Sequence, residues 1–213
     1  MPILLEKGKK EKQGDREIYI PNDPEQLILV LVDHMSIVLP ENGRTLKQEM
    51  DLISQYLLTL RNKYQISPVV LMQQNREASS TERRKMELTE PDQNSVRDSS
   101  SIVQDCEILL AIYSPIKDKL KHYRGYNVIG EDGFGDTLKS IIVLKNRYGV
   151  SDKVVPVAFM GSIGKFEELP APDEISDIKY YQNINKEIDL SRKDETTEEV
   201  ATQDQKNKVK FTF

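Results

Sequence analysis

The chain has 213 residues, enough for one ordinary domain with a sizeable core. Its formal net charge of −5 excludes the global basic field that advertises a nucleic-acid partner, so any such contact must be a local patch. The single Cys106 excludes an internal disulfide and a cysteine metal site, and no apolar run reaches membrane-spanning length.

The start of the chain (Met1 to Leu5, then lysine-rich) is too short for a signal peptide, so a soluble cytoplasmic protein is expected. Residues 1–24 read as a polar segment in which Arg16 to Ile20 is a candidate short edge strand. Pro21-Asn22-Asp23-Pro24 is a turn signal. It delivers the chain into Leu27-Ile28-Leu29-Val30-Leu31-Val32-Asp33-His34, an unbroken aliphatic run that stops at a carboxylate. Such a run predicts a strand buried on both faces, as parallel sheets require. An acid at the carboxyl end of such a strand lies where α/β sheets bind ligands. In nucleotide hydrolases it orders the magnesium shell; the plainer reading is an Asp capping the next turn.

Leu46, Met50, Ile53, Leu57, Leu60 and Tyr64 fall on one helical face, and Thr45 with Gln48 has capping-box spacing. Pro68 forbids more helix and opens the run Val69-Val70-Leu71-Met72. Strand, helix, strand is a βαβ unit with parallel strands, which puts Asp33 and Gln73 on one sheet edge. Taken alone, Gln73 is a solvated loop residue. Residues 77–97 are almost wholly polar, a length of loop that is functional or disordered in a compact domain. Cys106 to Tyr113 predicts a third buried strand, and Ser114 to Thr137 an irregular excursion on the surface. Ser140 to Asn146 and Val154 to Met160 predict an antiparallel pair turning at Gly149 to Asp152, with Ile163 to Phe166 as the last strand. From Pro170 apolar residues become sparse, so residues 170–213 read as a flexible, disordered, charged tail.

Together these segments resemble the second half of the RecA-like ATPase domain of DnaB-type replicative DNA helicases, phage members included. The blocks that carry the resemblance are Leu31-Val32-Asp33-His34-Met35-Ser36, Val70-Leu71-Met72-Gln73-Gln74-Asn75-Arg76, Ser95 to Asp105 and Ile142-Val143-Leu144-Lys145-Asn146-Arg147, followed by Val157-Ala158-Phe159 through Lys165-Phe166. They stand in the family's order over residues 25–169. The resemblance implies an α/β fold: a RecA-like partial parallel sheet with flanking helices and a C-terminal antiparallel hairpin. By resemblance, Asp33 is the Walker B acid that holds Mg2+ through water, and Gln73 is the sensor of the terminal phosphate of ATP. Lys145 and Arg147 are the pair that reaches a neighbouring subunit's nucleotide, and strand alternation puts them on one face. Arg97, Asp98 and Ser100 fall where the family's channel loop grips single-stranded DNA, a sequence-blind contact to phosphates. Arg83-Arg84-Lys85 lies in the other channel-loop region, where Glu82 and Glu87 make a solvated charge cluster the favoured reading.

Two departures bear on activity. No Gly-x-x-x-x-Gly-Lys-Ser/Thr phosphate loop occurs in the sequence, and the family's catalytic glutamate is missing with it. Ser100 also replaces the family's glycine. The expectation is a component of a ring-forming replicative helicase that binds single-stranded DNA and hydrolyses no ATP alone. It would need a separately encoded half bearing Walker A, or intact helicase subunits. The competing expectations are a non-catalytic, helicase-derived adaptor and a single-stranded-DNA-binding interaction protein.

Overall fold

Thr45 and Gln48 close a reciprocal pair of bonds at the head of the longest helix: Gln48 N–H donates to Thr45 Oγ1 (3.3 Å) and Thr45 N–H to Gln48 Oε1 (2.9 Å). The box satisfies donors that a helix start leaves bare, and α1 (Leu46–Tyr64) runs from it unbroken. Gln65 ends the helix in left-handed backbone, its N–H on the Arg61 carbonyl. The computed structural model describes residues 6–74, 89–96, 100–175 and 178–181. Cα packing divides the chain into two compact units, the first comprising residues 1–109 with 145–148 and the second the remainder.

In the first unit, β3 (Leu29–Val32) and β4 (Ser67–Val70) pair in parallel, Leu29 opposite Ser67 and Val32 opposite Val70. With α1 between them they form the expected βαβ unit. The helix buries its apolar face in two clusters. Tyr64 joins Tyr19 and Ile66, flanked by Ile28, Val30 and Leu60; the Tyr19 and Tyr64 rings meet edge to face at 5.4 Å. Met50 joins Met35 and Ile102, flanked by Leu46, Ile53, Leu57, Val70 and Met72. Ile102 comes from the short helix α2 (Ser100–Asp105).

The expectation that Leu27–Val32 is buried on both faces is corrected. Ile28, Val30 and Val32 turn toward α1, while Leu29, Leu31, Val69 and Leu71 are 55%, 72%, 41% and 51% exposed. Alternation along two paired strands sends these four side chains to one face. Sheets of this class carry helices on both faces, and among the described residues helix packs on one only. The N-terminal segment holds a hairpin where one edge strand was expected: β1 (Gly8–Gln13) pairs antiparallel with β2 (Arg16–Pro21). Gly14, at φ 64°, supplies the left-handed residue of its turn.

The second unit is built on a four-stranded sheet, ordered β10 (Lys165–Glu168), β9 (Lys153–Met160), β8 (Leu138–Asn146) and β5 (Ile108–Tyr113). β8 and β9 are antiparallel, as expected, with Leu138 opposite Ala158. Residues 114–137 are not the surface excursion expected from their glycines. Around the small hairpin of β6 (His122–Tyr123) and β7 (Tyr126–Asn127), they bury Tyr123, Tyr126, Val128 and Phe134. The aromatic side chains close a core that glycine content alone conceals. Tyr126 Oη donates to the Pro170 carbonyl (2.7 Å), and the Phe134 ring lies 5.6 Å from that of Tyr181.

Candidate functional site

The parallel register fixes the first part of the site. Leu71 N–H donates to the Val32 carbonyl (2.9 Å) and Met35 N–H to the Leu71 carbonyl (3.1 Å), so pairing continues past the assigned strand ends. Asp33 and Gln73 therefore leave neighbouring strands at one carboxyl edge, both exposed. Neither side chain has a hydrogen bond or ion pair among the described residues. The plainer reading of Asp33 is not what is seen. The turn at Met35–Ile37 has His34 at its cap position and no side-chain cap bond.

The chain beyond Gln73 is tied to the segment that precedes residues 97–99. Gln74 forms a lone antiparallel bridge with Val96, after a turn closed by Asp92 and Ser95: Ser95 N–H donates to the Asp92 carbonyl (3.0 Å) and Ser95 Oγ to Asp92 Oδ1 (2.9 Å). Arg97 and Asp98 lie outside the described residues, as do Arg83, Arg84 and Lys85; of Ser100 only the backbone, at the head of α2, is described. α2 itself is pinned to α1. Ser101 Oγ donates to the Asp51 carboxylate, Ser54 Oγ donates to Asp105 Oδ2 (2.7 Å), and Ile102 sits on Met35 and Met50. One core thus carries the turn after Asp33, the long helix and α2.

Lys145 and Arg147 meet the opposite end of α2. Cys106 N–H takes the Ile102 carbonyl (3.0 Å), which leaves the carbonyls of Val103 and Gln104 without a helical donor. Lys145 Nζ donates to both, at 2.6 and 2.9 Å, and Arg147 Nη2 donates to Gln104 at 2.7 Å. Both side chains reach the Gln104 carbonyl, so they leave the chain on one side, as alternation requires. Cations at a helix carboxyl end also complement its dipole. No hydrogen bond or ion pair joins them to Asp33 among the described residues.

Sequence reasoning missed two residues here. Glu107 accepts a bond from Arg61 Nη1, lies 3.9 Å from Arg147 Nη1, and takes the Arg147 N–H on its carbonyl at 2.9 Å. The available signal was a lone acid at the mouth of an apolar strand and an arginine in the last turn of α1. Cys106, beside them, has its thiol pushed up by burial, with Lys145 acting the other way.

Among the described residues no cluster of three or more His, Cys, Asp or Glu could enclose a metal. No helix among the described residues is long and apolar enough to cross a membrane.

The fold is that of a RecA-like α/β ATPase domain. Its likenesses are the ATPase domain of G40P and a DnaB-like replicative helicase whose structure was described with its interactions with primase. The first has a TM-score of 0.54 at 19% identity, covering 70% of this chain and 46% of that one. The second has a TM-score of 0.55 at 19% identity, covering 70% and 32%. The chain thus spans under half the length of either structure. More particularly, the chain belongs to the DnaB-like helicase C terminal domain family, whose model matches residues 16–168. The comparison with curated proteins gives no match.

Proposed function

We propose that this chain is one part of a DnaB-type replicative helicase, a ring-forming, ATP-driven motor on single-stranded DNA. A second polypeptide would bring the phosphate-binding half. The observation that carries this reading is the pairing of β3 and β4. Asp33 and Gln73 stand free at their carboxyl edge, while the strands' outer face shows Leu29, Leu31, Val69 and Leu71 to solvent. An apolar face of this extent supports a covering element from outside the described residues.

In the completed site Asp33 would hold the nucleotide's magnesium through water, and Gln73 would face the terminal phosphate. The bridge from Gln74 to Val96 then gives that position a backbone route toward residues 97–99, where the Arg97 guanidinium and backbone amides around Asp98 would meet DNA phosphates. Bound Mg2+ supplies charge neutralisation to the transferring phosphoryl group. Lys145 and Arg147 serve a neighbouring subunit's nucleotide, where a fixed guanidinium raises the rate by about 10³–10⁵.

The test is co-expression with a Walker A-bearing N-terminal half of a DnaB-like helicase. DNA-stimulated ATPase activity should come with the co-purified pair and be absent from either chain alone. Binding without turnover would favour the adaptor reading instead. Turnover by the isolated chain, lost in Arg147→Ala, would overturn the need for a partner.

A further inference from the structure

The carboxylate of Glu107 is shared between two arginines that belong to different parts of the first unit. Arg61, from the last turn of α1, makes the close contact; Arg147 makes the longer one at 3.9 Å while its Nη2 rests on the Gln104 carbonyl. The Arg147 backbone is held as well, since its N–H donates to the Glu107 carbonyl. A guanidinium carries five N–H donors in a rigid planar fork. Here Nη2 is hydrogen-bonded to a carbonyl, the carboxylate faces Nη1 as an ion pair at 3.9 Å, and half of the side chain stays open to solvent. The remaining donors are free to meet a phosphate without the anchoring bonds being given up. Lys145 differs: two of its three donors are spent on Val103 and Gln104.

We infer that Glu107 is a positioning residue for Arg147, fixed in turn by Arg61, so that the finger offers its free guanidinium edge in one orientation. The inference rests on the reading of Arg147 as a finger. Arg61 matters because a carboxylate already paired holds a second cation without capturing it. Pre-organisation of this kind lowers the cost of bringing a charge to the transferring phosphoryl group.

NMR of the arginine Nε–Hε groups in the full-length chain tests this without any turnover. The Arg147 signal is identified by its loss in Arg147→Lys. In Glu107→Gln that signal should move toward the position of a free arginine, with the Arg44 signal, held by Glu49, unchanged; Glu107→Asp should fall between. An Arg147 signal unmoved in Glu107→Gln would overturn the inference. If Glu107→Gln also shifts Arg44, as a folding defect would, Glu107→Asp decides by the same criterion.

Inorganic tripolyphosphate separates the two claims. Arg147 should titrate with it in the wild type, and more weakly in Glu107→Gln. An Arg147 signal that depends on Glu107 yet ignores tripolyphosphate would leave the positioning intact and count against the finger. In the co-purified pair, Glu107→Gln should lower kcat about tenfold to a hundredfold with KM for ATP unchanged. A rise in KM alone would contradict positioning of a group that acts in the transition state.

Discussion

The carboxyl edge of β3 and β4 and the carboxyl end of α2 treat their charged residues in opposite ways. At the first, Asp33 and Gln73 are exposed and make no bond to the described chain. At the second, Lys145 and Arg147 are tied to backbone carbonyls and a carboxylate. An unpaired acid at a strand end gains most from an incoming cation. A cation pair already seated on a helix end gains by being aimed. If Arg147 serves as the proposed finger, the docking would not trap it. A cation at a helix carboxyl end is worth about 0.3–1 kcal/mol, whereas a finger's rate effect of 10³–10⁵ corresponds to roughly 4–7 kcal/mol.

The largest effects should therefore come from removing the groups themselves in the co-purified pair. Arg147→Ala should lower kcat by about 10³-fold or more, without changing the thermal stability of the isolated chain beyond the loss of its bond to the Gln104 carbonyl and its longer ion pair with Glu107. Asp33→Asn should abolish magnesium-dependent turnover and leave folding untouched, because the carboxylate has no partner in the described chain. Steady-state ATPase rates and thermal melts of the same preparations check both. A large stability loss in Asp33→Asn would mean that the acid serves the fold, and the contrast between the two places would collapse.

Next in size is a change beneath both places at once. Met50 is fully buried between Met35, next but one to Asp33, and Ile102 of α2. Met50→Ala should cost about 2–5 kcal/mol, as for other large-to-small core changes, measured as a shift of the chemical denaturation midpoint. On the opposite face Leu31 is 72% exposed among the described residues, so Leu31→Lys disturbs little packing there. It should change stability by less than about 0.5 kcal/mol while weakening co-purification with the Walker A half. If Leu31→Lys destabilised the isolated chain as much as Met50→Ala, that face would already be packed.

The βαβ unit and the antiparallel pair of β8 and β9 were legible in the sequence because their signals are local. Thr45 with Gln48, the apolar face of α1, Pro68 and the aliphatic runs each fix an element within a few residues. What stayed hidden depends on partners distant in sequence. Residues 8–13 are one glycine, three lysines, a glutamate and a glutamine, a composition of low strand propensity, and form a strand because Arg16–Pro21 lies across from them. Tyr123, Tyr126 and Phe134 look like isolated aromatics among glycines until Tyr123 meets Tyr113 and Tyr126 meets Phe134. The exposed face of β3 was beyond reach for a further reason: an aliphatic run states that burial is needed, not which chain provides it. At the site, spacing put Asp33 beside Gln73 and Lys145 with Arg147. It gave no hint of Glu107 as an anchor, since Arg61, Glu107 and Arg147 are far apart in sequence.

The smallest effect reads the position of Lys145 through its neighbour. Burial pushes the Cys106 thiol above its ordinary range, and the Lys145 ammonium opposes that shift. The rate of alkylation by iodoacetamide follows the thiolate, so its pH midpoint should lie above that of a free thiol. Lys145→Met removes the opposing charge and should move the midpoint higher still; Lys145→Arg should leave it nearly in place. Stability follows with the same sign. The unfolded thiol ionises first as pH rises, so the fold loses a little stability between the ordinary thiol range and the raised one, and nothing below it. A midpoint that is unchanged in Lys145→Met would show the ammonium to be away from the carboxyl end of α2 in solution. Lys145 and Arg147 would then be as unheld as Asp33.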